Sequence, residues 1–189
     1  IWKNESVMKR VEIDKKFNSQ EEYFLFEEKS ELKHELINGN LFEMSGVSKF
    51  HNYITRRLTV LLDMLLKNTN TELFLEGYKV LTPDGNFFYP DVIVSTPNTQ
   101  KYYTSEPILL IEVLSDSTRT YDLTDKFIQY KKIPSLNYYI CIEPEQQVVI
   151  FYFKNENSEW LTETYTKDED AINLPRLTTS FTLKDIYHP

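Results

Sequence analysis

The chain has 189 residues, enough for one domain with a sizeable core, and its formal net charge is -8 at pH 7. Four glycines, and no GxxxxGK[ST] or GxGxxG pattern, leave the common nucleotide-binding loops without support. The single cysteine, Cys141, excludes an internal disulfide and a cysteine zinc cluster; the acidic balance disfavours a bulk electrostatic hold on nucleic acid but leaves room for a local basic groove or metal-bridged phosphate.

No apolar run approaches the roughly 20 residues of a membrane span, and the first residues have no signal-peptide core. The expectation is a soluble, cytoplasmic protein with no membrane association. Residues 1–18 are polar and charged and read as an N-terminal arm or short edge element, with residues 19–189 as a single domain. Ser19 can cap a helix over residues 19–29, and Glu22 can complete a capping box. Residues 34–44 read as a hairpin turning at Asn38-Gly39, a pair that tolerates positive φ. Over residues 50–67, Ile54, Leu58, Leu61, Leu62, Leu65 and Leu66 recur at helical spacing as one buried stripe.

Residues 73–81 read as a strand and residues 83–86 as a turn. Two apolar strands follow, over residues 87–94 and 107–114, joined by a polar loop at residues 97–99. Residues 122–132 read as a helix with Asp122 as N-cap and Pro134 explaining its stop. Two strands are expected over residues 137–142 and 147–153, an edge strand over 160–165, and a helical turn near the end of the chain. Cys141 falls in one of these strands and reads as a buried, inert thiol. The order of elements suggests an α/β fold with one mixed sheet flanked by helices.

Two acids stand out. Glu112 interrupts Ile108-Leu109-Leu110-Ile111-Glu112-Val113-Leu114, and Asp91 is the one acid of Phe87-Phe88-Tyr89-Pro90-Asp91-Val92-Ile93-Val94. An unpaired carboxylate in a buried strand costs several kcal/mol, so each needs a cation or a strong donor. Their oxygens suit magnesium or manganese, with water and substrate phosphate completing the shell. Such a site hydrolyses a phosphodiester best with a lysine nearby to help the water and the growing negative charge. Plainer readings stand beside these: Asp91 as a turn cap after Pro90, Glu112 in a structural ion pair, Lys126 as a solvated helix lysine, Tyr130 as core.

The spacing of Pro90-Asp91 and Glu112-Val113-Leu114 resembles the PD-(D/E)XK nuclease motif, with Leu114 where that motif has lysine. The longer series is more specific. It comprises His34 to Met44, His51, Tyr89-Pro90-Asp91-Val92, Ile111 to Ser115, then Asp122, Lys126, Tyr130 and Tyr138-Tyr139-Ile140. Over residues 20–155 it resembles the Uma-two restriction-endonuclease family. The resemblance implies a restriction-endonuclease-like α/β core and metal-dependent cleavage of DNA, with Mg2+ or Mn2+ as cofactor. It matches Asp91 and Glu112 to the metal-binding acids, aided by the Val113 carbonyl, and Lys126 to a catalytic lysine displaced onto a helix. Glu35, His51 and Tyr130 are matched as supporting or substrate-binding residues. One small domain cutting both strands implies a homodimer. The rival functions are a non-catalytic module of the same fold, binding nucleic acid or protein, and a hydrolase of another phosphate ester.

Overall fold

The structure, a computed structural model, describes residues 11–17, 19–44 and 46–188. Within the expected arm, Val11–Lys16 forms strand β1; residues 1–10 and 18 lie outside the described residues. Helix α1 (Gln20–Glu27) starts where its cap predicts, with Ser19 Oγ accepting from the Glu22 amide at 3.2 Å. Asn38 and Gly39 take φ of 51° and 81°, the left-handed pair that a two-residue hairpin turn requires. They join β2 (His34–Ile37) to β3 (Asn40–Glu43), with Glu35 opposite Phe42. Helix α2 (Lys49–Leu66) buries Ile54, Leu58, Leu62 and Leu66 of the expected stripe, each burial worth about 1.5–3 kcal/mol, while Leu61 and Leu65 pack half-buried against the same core.

The next stretch departs from the expectation. Residues 73–81 form two strands, β4 (Glu72–Leu75) and β5 (Lys79–Leu81), in different sheets. Gly77, at φ 118°, turns the chain between them, a conformation open to glycine and strained for other residues. Residues 87–94 divide in the same way into β6 (Phe87–Phe88) and β7 (Val92–Ser95). Pro90 has no amide to give a ladder, so the strand breaks there and Asp91 falls at the crossing between sheets. A short strand β8 (Tyr103–Thr104) precedes the long, almost wholly buried β9 (Pro107–Val113).

The helix expected from Asp122 instead starts at Arg119. It runs as α3 (Arg119–Tyr121), a π turn (Asp122–Lys126) and α4 (Phe127–Tyr130). Asp122 is therefore not its N-cap but a buried residue inside it. Strands β10 (Tyr138–Ile142), β11 (Val149–Lys154) and β12 (Trp160–Tyr165) follow as expected. A ribbon of β13 (Ala171–Leu174) and β14 (Thr179–Thr182), unmarked in the sequence, precedes α5 (Leu183–Tyr187).

The fold class is the mixed α/β one, but the strands make two six-stranded sheets where the element order suggests one. The first runs β1-β3-β2-β6-β5-β8 and the second β12-β11-β10-β9-β7-β4, with β9 and β10 parallel at its centre. Alternation along β9 places Leu109, Ile111 and Val113 against α2. Leu110 and Leu114 face the other side, with Tyr130 and Tyr139. Glu112 shares the parity of Leu110 and Leu114, so its carboxylate points toward the π-turn helix.

Candidate active site

The register of β7 on β9 pairs Val92 with Ile111. Continued by one residue, it sets Asp91 beside Glu112. Asp91 Oδ2 accepts the Val113 amide at 2.7 Å and lies 3.1 Å from His51 Nε2. Because the carboxylate can only accept, the ring nitrogen facing it carries the proton. His51 reaches that place from the first turn of α2, where Ser48 Oγ caps its amide at 3.1 Å.

Lys126 is the centre of the second half of the site. Its Nζ lies 2.9 Å from Glu112 Oε1, 3.2 Å from Glu35 Oε1 and 3.2 Å from Asp122 Oδ1. All four residues are buried. A lysine and three carboxylates withdrawn from water hold together only through such mutual pairing. Tyr130 donates to Glu112 Oε1 at 3.0 Å from the core side, and burial first, then the Glu112 charge, holds its phenol protonated far above the ordinary range. Glu35, on β2 of the first sheet, also accepts the Tyr89 amide at 3.2 Å.

The structure thus brings Glu35, His51, Asp91, Glu112, Val113 and Lys126 to one pocket between the two sheets. Tyr130 stands behind it. Leu114 is fully buried in the core, and Lys126 arrives from the helix on the face that a lysine at that position would have served. Cys141, paired in register with Glu112, is buried, and burial pushes its thiol up.

Burial is the main force on Glu112, pushing its carboxyl up to about 8; Asp122 and Asp91 push the same way and Lys126 pulls it down. Asp122, read from the sequence as a cap and as one position of the family series but given no role in the site, is the functional candidate that reasoning missed. Its Oδ1 is buried and, although within ion-pair distance of Lys126, accepts no hydrogen bond among the described residues. The available signal was its four-residue spacing from Lys126, which puts both on one side of a helix.

The comparisons with known proteins agree with this architecture. A family model described as "Uma2: Putative restriction endonuclease" matches residues 20–184. The chain belongs to the Uma2 family. It is 33% identical over 173 residues to the Synechocystis sp. "Uncharacterized protein slr1290", covering 89% of this chain and 90% of that one. A second Synechocystis sp. protein, "Uncharacterized protein sll1609", is 33% identical over 147 residues, 74% of this chain and 82% of its own. Among solved structures, "a putative nuclease belonging to DUF820" from Anabaena variabilis superposes with a TM-score of 0.72 at 19% identity, covering 88% of this Uma2 chain and 96% of that one. At that identity the likeness establishes the fold.

Proposed function

We propose that this chain is a magnesium- or manganese-dependent endonuclease that hydrolyses DNA phosphodiester bonds. The observation that carries the reading is Lys126, delivered by the π-turn helix to within 2.9 Å of Glu112 in the pocket that also holds Asp91. The family description, and that of the Anabaena neighbour, point to the same chemistry.

The donor set fits a hard divalent ion. Asp91 Oδ1 and Glu112 Oε2 accept no hydrogen bond among the described residues, since every contact to these carboxylates falls on the other oxygen. Among the described residues, no group of three or more His, Cys, Asp or Glu side chains is arranged to hold a metal on its own. Two carboxylates and a carbonyl, with room for water and phosphate, are the kind of set magnesium accepts. Asp91, Glu112 and the Val113 carbonyl would hold the ion, which supplies Lewis-acid polarisation of a phosphoryl oxygen and a more nucleophilic water.

The chain's own groups do the rest. His51 and the Val113 amide fix Asp91, leaving its other oxygen toward the pocket. Tyr130 does the same for Glu112. Lys126 presents its ammonium where negative charge grows on the phosphoryl group. Glu35, across Lys126 from Glu112, can accept from and orient the attacking water.

Purified protein should nick supercoiled DNA with added magnesium or manganese. Asp91→Ala, Glu112→Ala and Lys126→Ala should each lose roughly 100-fold or more. Full activity in both acid variants would sink the mechanism. Parallel assays on small phosphodiesters separate a nuclease from a general phosphate-ester hydrolase. A second reading, a non-catalytic binding module of the same fold, is favoured by one observation: Lys126 already pairs with three carboxylates. Calorimetric titration decides between them, because an absence of binding at millimolar metal supports the module.

A further inference from the structure

Helix α2 is apolar on two sides. One side, Ile54, Leu58, Leu62 and Leu66, is buried in the core. On the other, Phe50, Tyr53, Val60 and Met64 are 50%, 42%, 55% and 72% exposed. With Arg57 they recur at alternating three- and four-residue steps, which is the spacing of a two-helix seam. The stripe is about 21 Å long at 1.5 Å per residue. A surface helix ordinarily carries one apolar stripe and a polar opposite face, so a second stripe, interrupted only by Arg57, marks an interaction surface.

We propose that this stripe is a self-association face, on which α2 packs antiparallel against α2 of a second copy. A parallel arrangement would set Arg57 against Arg57. The antiparallel register that faces Tyr53 with Met64, and Arg57 with Val60, places Arg56 beside Asp63 of the second copy, on both sides of the two-fold axis. Arg56 and Asp63 are exposed, and among the described residues neither has an ion-pair partner within its own chain. Arg57 does not oppose the pairing. Its guanidinium donates to the carbonyls of Ile186 and Tyr187 at 3.2 and 2.9 Å, which turns its charge toward the C-terminus of α5. One helix stripe supplies the centre of an interface at the small end of the usual range of roughly 800 Å² per partner, so association in the micromolar range is expected.

Pairing needs neither DNA nor metal, so it stands apart from the nuclease reading and fails separately from it. Sedimentation equilibrium in chelator, from about 5 to about 200 µM, should show the mass rising from one chain to two. Val60→Glu and Met64→Glu should hold it at one chain, with unchanged thermal melts showing that the variants fold. Arg56→Asp should weaken pairing about tenfold, and Arg56→Asp with Asp63→Arg should restore it. A wild-type chain that stays single throughout overturns the proposal and leaves the stripe to a different protein. A dimer indifferent to Met64→Glu and to the charge exchange overturns it as well, by placing the interface elsewhere.

Discussion

A proton on Glu112 reads out the electrostatics of the pocket. Without metal, the folded protein binds this proton with the carboxyl at about 8, above its ordinary 4.5. Between those values the native state holds more protons than the unfolded chain, so stability present below the lower value is lost as pH rises through the upper one. In chelator, Glu112 should make the melting temperature fall between about pH 4.5 and about pH 8, and Glu112→Gln should flatten that slope. Equal slopes in the two proteins would show that Glu112 is not the group responsible. Lys126→Met should cost about 3–5 kcal/mol in urea unfolding, because it strands buried carboxylates. Adding Glu112→Gln should recover part of that loss, a coupling that independent sites would lack. Asp122→Asn keeps the shape beside Lys126 and removes a charge, so turnover should fall while DNA binding is held; equal turnover would leave Asp122 outside the chemistry.

The elements differ in how openly the sequence announces them. β9 and α2 were legible because each carries a strong pattern, an apolar run with one acid and a helical leucine stripe. The hairpin of β2 and β3 was legible because Asn38-Gly39 is a turn signal with a steric cause. The breaks at Gly77 and Pro90 were visible as residues, but which sheet each half joins depends on distant partners. The π turn had no local sign at all. Its residues Asp122-Leu123-Thr124-Asp125-Lys126 look like a capped helix start, and the packing of the buried acid and lysine determines their placement. Glu35, Asp91, Glu112 and Lys126 could thus be assigned to one site through the family resemblance, while the geometry of their convergence could not be read. At this scale Gly39→Ala should cost about 1–2 kcal/mol, because Gly39 sits at φ 81° while no atom would touch the added methyl. Urea unfolding checks this value, and a neutral result would mean the turn relaxes to another type.

For the whole molecule, charge is the governing quantity. A chain at -8 has little general attraction for DNA, so under the proposed reading contact with phosphate should depend on the pocket and the ion it would hold. Magnesium or manganese in millimolar excess should raise the melting temperature of the wild type, by the linkage of binding to folding, and leave Asp91→Ala unmoved. An equal rise in both would point to unspecific binding at the acidic surface. No helix among the described residues is long and apolar enough to cross a membrane.

The pocket draws Glu35 from the first sheet, Asp91 from the crossing, Glu112 from the second sheet and Lys126 from a helix. No single hairpin or helix contains a working fragment of it. A chain still emerging from the ribosome, or one that has lost either sheet, therefore cannot gather these groups. If the chain cuts DNA as proposed, competence to cut arrives only with completed folding, and an unfinished copy is harmless by construction.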